Sequence, residues 1–113
     1  MSAAQLLDPA TIEEARAMFK AKFPTMAGYY LEDAAGYVDN IRQAVMSGNV
    51  QAIVTPAHTL KSSSRQMGAF GVSDIAKEIE AEARAGAAVD WFARQLTRLE
   101  EAFEQTRASY PAA

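Results

Sequence analysis

Apolar residues recur along most of this chain at the 3.6-residue period of an α-helix, in five segments separated by proline, glycine and capping residues. Asp8-Pro9 is a helix start, with Asp as cap and Pro in the first turn. Ile12, Ala15, Phe19 and Phe23 follow at helical spacing, so a first, short helix is expected over 9–22. Met26, Tyr30, Ala34, Tyr37, Val38, Ile41 and Val45 carry a second over 25–46, through Gly28 and Gly36, which are read as allowing close packing. Ser47-Gly48-Asn49 is a stop followed by a cap. A third helix is expected over 50–68, although Pro56 cannot donate to the carbonyl of residue 52. Either this helix bends at Pro56 or Val50–Val54 is a separate turn; one bent helix is preferred. Val72, Ile75, Ala76, Ile79 and Ala83 point to a fourth over 72–85, stopped by Gly86. Phe92, Leu96, Leu99 and Phe103 point to a fifth over 89–108. The expected fold is all-α: an antiparallel four-helix bundle, up-down-up-down with short loops, and an additional short N-terminal helix over one end.

With 113 residues the chain is long enough for one core and too short for two, so residues 1–113 are read as one domain. No apolar run approaches the roughly 18 residues of a membrane span, and no signal peptide is visible. The absence of cysteine removes disulfides and thiolate chemistry and fits a reducing cytoplasm. A net charge of −3 with both signs dispersed argues against nucleic-acid binding. With a single histidine a zinc site is not expected, and no glycine-rich phosphate loop is present, so neither ATP binding nor kinase activity is expected.

The chemistry concentrates between Pro56 and Gly71, in Pro-Ala-His-Thr-Leu-Lys-Ser-Ser-Ser-Arg-Gln-Met-Gly-Ala-Phe-Gly. At about 100° per residue, Arg65 falls within roughly 20° of His58, Lys61 within roughly 60° on one side and Ser62 within roughly 40° on the other. The opposite face carries Ile53, Pro56, Leu60 and Met67, flanked by Ser63 and Ser64. The helix is therefore half core and half a polar stripe centred on one imidazole. Ser63 and Ser64 are read as buried spacers whose hydroxyls bond back to carbonyls of the preceding turn.

Ala57-His58-Thr59-Leu60-Lys61, the small residues Ser62, Ser63 and Ser64, and Met67-Gly68-Ala69 resemble the signature of histidine-containing phosphotransfer (HPt) domains. Ser62 stands where glycine is most frequent in that family. The resemblance implies that His58 accepts a phosphoryl group and that Lys61 stabilises its charge. It gives Ser62, Arg65 and Gly68 supporting places. Counted from Gly68, it puts Glu80 of the fourth helix beside the imidazole, which its carboxylate could orient.

Physical chemistry agrees with that implication. An ordinary histidine, with a pKa of about 6.5, is largely neutral and nucleophilic near pH 7. A lysine one turn away supplies fixed positive charge where phosphoryl oxygens carry charge in the transition state. The resemblance thus implies a monomeric, cytoplasmic phosphorelay intermediate. It would take phosphate from the receiver domain of a hybrid sensor histidine kinase and hand it to a downstream response regulator. The partner receiver would supply Mg²⁺, and the chain would need no cofactor of its own. The apolar rim of the docking face would include Val54 and Ala69. The initiating Met and short tails favour a stand-alone protein. The rival expectation is a helical adaptor that binds a signalling partner with an incidental histidine.

Overall fold

The computed structural model describes residues 6–111, and every regular element among them is helical. They are α1 (Pro9–Phe19), a 3₁₀ turn (Lys20–Lys22), α2 (Phe23–Met46), a second 3₁₀ turn (Val50–Ile53), α3 (Val54–Gln66), α4 (Phe70–Arg84) and α5 (Val89–Ser109). Helix α2 packs on α3, α3 on α4 and α4 on α5, and α5 returns against α2, so the four long helices close a ring around one core. The molecule measures 43 × 24 × 20 Å. At 1.5 Å per residue α2 is about 36 Å long and must follow the longest of these axes. Helix α1 packs on the start of α2.

Most of the core is the one read from the period, though Met26 is only half-buried and Ala27, Ala44, Ala57 and Ala102 join it. Ile12, Ala15, Phe23, Tyr30, Ala34, Val38, Ile41 and Val45 are buried, as are Val72, Ile75, Ala76, Ile79, Ala83, Phe92, Leu99 and Phe103. Phe19, Tyr37 and Leu96 pack against it from partly exposed positions. Each large side chain so buried contributes about 1.5–3 kcal/mol. Tyr110, beyond the expected end of the last helix at residue 108, is a core residue as well. Its ring lies 6.0 Å from that of Tyr30 and 6.4 Å from that of Phe23, and its hydroxyl donates to the Met67 carbonyl at 2.6 Å.

The helix ends differ from the expected ones where local chemistry intervenes. Asp8 caps α1, accepting from the Thr11 amide at 3.1 Å. The helix stops at Phe19, because Lys20 turns to φ 52°, and α2 starts at once at Phe23 with Pro24 in its first turn. The segment 50–68 is not one bent α-helix. Asn49 caps the 3₁₀ turn by accepting from the Ala52 amide at 3.2 Å, and α3 begins at Val54. Pro56 is then in the first turn of α3, where the missing N–H has no intrahelical acceptor to lose. Gly28 and Gly36 do not mediate close packing: a methyl group at either would meet nothing within 4 Å.

Of the two serines read as spacers, one differs. Ser63 Oγ donates back to the Leu60 carbonyl at 3.4 Å, as expected. Ser64 is fully buried, but its hydroxyl pairs with the Tyr30 hydroxyl at 2.6 Å rather than with a carbonyl of its own helix.

Candidate functional site

His58 lies in the middle of α3. Its neighbours Ala57 and Leu60 are fully buried, whereas its own ring is 54% exposed. Alternation of small and large residues on the inner face seats α3 against the core and leaves the imidazole on the outer face. Glu80, on the third turn of α4, reaches across from beneath: its side chain is only 8% exposed. One carboxylate oxygen, Oε2, lies 2.9 Å from His58 Nδ1 and the other, Oε1, 2.7 Å from Lys61 Nζ. Arg84, one turn further along α4, donates to Oε2 from Nη2 at 2.8 Å and from Nε at 3.1 Å. Ser73 ties the two helices together here, its hydroxyl donating to the Lys61 carbonyl at 2.8 Å.

Burial alone would raise the Glu80 pKa. Hydrogen bonds from Lys61, Arg84 and His58, with the Lys61 charge, outweigh it and hold the carboxyl at about 2, below its ordinary 4.5. The group is therefore an ionised acceptor at neutral pH. An acceptor-only carboxylate requires a proton on Nδ1. In the neutral ring Nε2 is then the nitrogen with a free lone pair, and an anion stands on the Nδ1 side.

The structure brings His58, Lys61 and Glu80 together as one unit. Ser62 is exposed beside them on the outer face of α3. Arg65 shares that face, but its guanidinium lies 3.8 Å over the Phe70 ring and 3.4 Å from Asp74. Lys61, Ser62 and Arg65 line an open groove completed by Ser73, Asp74 and Lys77. Gly68 is brought to α1 rather than to the histidine: its carbonyl accepts from the Asp8 amide at 2.8 Å, and a Cβ there would lie 2.7 Å from Ile12 Cγ1. Ala69 is fully buried and cannot belong to an apolar rim, whereas Val54 is half-buried and can. Arg84 was missed in the sequence; its signal was the Glu80–Arg84 spacing of four on one helix. Among the described residues no group of three or more His, Cys, Asp or Glu is placed to hold a metal ion, and no helix is long and apolar enough to cross a membrane.

No curated protein sequence significantly matches the chain. Its fold and sequence are similar to histidine-containing phosphotransfer protein B (HptB) from Pseudomonas aeruginosa PAO1, whose crystal structure superposes with a TM-score of 0.70 at 25% identity, covering 96% of this chain and 99% of that one. The Hpt domain profile matches residues 25–109, from the first turn of α2 to the end of α5. The match spans well over half of the sequence and includes the whole His58 site, so the chain belongs to the Hpt domain family and has a histidine-phosphotransfer role in a two-component phosphorelay.

Proposed function

We propose that His58 accepts a phosphoryl group from the phospho-aspartate of a receiver domain and passes it to the aspartate of a second response regulator. One observation carries this reading: an exposed imidazole has its inner nitrogen on an ionised, buried carboxylate, and that carboxylate also holds the Lys61 ammonium at 2.7 Å. The Nε2 lone pair attacks phosphorus, and the P–O bond of the acyl phosphate breaks with its electron pair leaving on the donor aspartate. The proton stays on Nδ1, where Glu80 stabilises the positive charge that the phosphorylated ring acquires. Lys61 serves the phosphoryl oxygens. The second transfer is the same displacement in reverse, on another aspartate.

The receivers are those of a hybrid sensor histidine kinase and of a downstream regulator, and each brings its own Mg²⁺; this chain contributes nucleophile and docking face. Ser62 flanks the imidazole as a hydrogen-bond donor. Arg65, braced on Phe70, presents positive charge to the acidic pocket of the receiver. Val54 lies at the apolar rim. The protein acts as a cytoplasmic monomer, with its four long helices antiparallel in up-down-up-down order, and contacts with receivers are modest and transient.

The test is transfer of labelled phosphate from a phosphorylated receiver to the wild type and to His58→Gln. Acid-labile, alkali-stable label on the wild type alone is the expected result. A folded wild type that takes no label from a panel of receivers, with partner binding unaltered in His58→Gln, would instead establish an adaptor.

A further inference from the structure

The two oxygens of Glu80 are loaded unequally. Oε2 receives His58 Nδ1 and two nitrogens of Arg84, whereas Oε1 receives only Lys61 Nζ. Arg84 and Glu80 stand four residues apart on α4, so their contact follows from the geometry of one helix and does not depend on how α3 is placed. Arg84 is the last residue of α4, where a cation is also favoured by the helix dipole. Its guanidinium cannot lose its proton and engages through two donors. Lys61 reaches Glu80 from the other helix, through one ammonium on a flexible stem. One cation on this carboxylate is thus tied to it within a single helix by two donors, and the other comes from the neighbouring helix through one.

That difference matters because Lys61 has two claims on it. The Glu80 side chain is buried, and a buried carboxylate stripped of its cations is strongly unfavourable. A phosphoryl group arriving at Nε2 needs the same ammonium. We propose that Arg84 is a positioning residue for His58: it anchors Glu80 through Oε2, so that Lys61 can leave Oε1 for the phosphoryl oxygens while the imidazole keeps its orientation. The inference rests on His58 being the phosphoryl acceptor. In the transfer, the N–P bond forms from the Nε2 lone pair and the broken P–O pair leaves on the donor aspartate. The ring, still protonated at Nδ1, becomes cationic beside Oε2. Glu80 then faces two positive partners on that oxygen, Arg84 and the ring, and no longer needs Lys61.

The experiment uses the full chain as wild type, Lys61→Gln, Arg84→Gln, Arg84→Lys and the double variant Lys61→Gln/Arg84→Gln, with folding checked by circular dichroism. Nitrogen NMR of the His58 ring reads the tautomer without any phosphate donor. Lys61→Gln imitates departure of the lysine and keeps the wild-type Nδ1–H form, because Arg84 still holds Glu80. The double variant loses that preference. Single-turnover transfer from a labelled receiver slows about tenfold in Arg84→Gln, the low end of what loss of a supporting partner does, and Arg84→Lys recovers part of it. A double variant with the wild-type tautomer overturns the proposal, as does an Arg84→Gln protein that accepts phosphate at the wild-type rate. A wild type that accepts no phosphate refutes the acceptor assignment instead, and the tautomer result still decides the anchoring role of Arg84.

Discussion

Tyr30 of α2 and Ser64 of α3 join their hydroxyls at 2.6 Å inside the bundle, with Tyr30 only 5% exposed and Ser64 fully enclosed. Ser64 lies six residues after His58 on the inner side of the same helix, so this bond joins α2 to the face of α3 opposite the imidazole. Removing one partner leaves the other buried without its hydrogen bond. Ser64→Ala is expected to destabilise the fold by about 1–3 kcal/mol, by stranding the Tyr30 hydroxyl. Tyr30→Phe is milder, about 1 kcal/mol, because a helical serine can turn back to a carbonyl of its own helix. The double variant loses less than the sum. Urea unfolding of the four proteins measures the coupling, and strictly additive losses would show that the pair does not act as a joint.

The glycines separate by what surrounds them. At Gly68, φ is +78° and a Cβ would press on Ile12 Cγ1 at 2.7 Å and on the Asp8 carbonyl oxygen at 3.1 Å, so Gly68→Ala meets both backbone strain and overlap. The expected loss is about 1–3 kcal/mol, with α1 loosened from the α3–α4 junction and its amides exchanging faster. Gly28 and Gly36 are mid-helix, exposed and unhindered. Gly28→Ala and Gly36→Ala should each stabilise by about 0.5–1 kcal/mol. Thermal melts that fail to rise for either would contradict this reading of α2.

These glycines also mark where sequence reasoning reached its limit. Helical periodicity located most of the large core side chains and the His58–Lys61 stripe, because both depend only on angles along one helix; it passed over the small core residues Ala27, Ala44, Ala57 and Ala102. It could not say what faced Gly28 or Gly36, since that depends on which side of α2 the neighbours occupy. Ala69 was misplaced on the rim for the same reason: it sits where the chain turns inward between α3 and α4. Glu80 came from the resemblance to the HPt pattern. Arg84 follows from Glu80 only when the carboxylate is known to lie at the histidine. Ser64 was read as a serine that bonds locally, and the competing partner, Tyr30, is 34 residues away. The break before Pro56 was one of two readings of 50–68; the period ran on through the 3₁₀ turn and tipped the preference to one bent helix.

Lys20, expected within the last turn of the first helix, instead ends that helix early. It has φ 52° and ψ −124°, while its amide still donates to the Arg16 carbonyl. A side chain is strained there, and glycine is not. Lys20→Gly relieves roughly 1–2 kcal/mol of strain but adds freedom to the unfolded chain, for a net gain of roughly 0.5–1 kcal/mol. Lys20→Ala keeps the Cβ and gives no such gain. The pair of melting temperatures distinguishes relief of backbone strain from mere loss of a surface charge, for which both variants would shift alike.

Glu80 links the site to the stability of the fold through pH. Its carboxyl is held at about 2 in the folded protein against an ordinary value of 4.5, burial being outweighed by the bonds from Lys61, Arg84 and His58. A group with a lower pKa in the folded state contributes stability that is complete above the unfolded value. That contribution is lost as pH falls through the folded value. The loss therefore runs from about pH 4.5 down to about pH 2, and amounts to roughly 2–3 kcal/mol. Glu80→Gln cannot lose it, because the amide does not titrate. Urea midpoints measured from pH 7 to pH 2 should show the wild type more stable at neutrality and the two proteins converging across that window. Curves that stay parallel down to pH 2 would mean that the carboxylate gains nothing from its three donors.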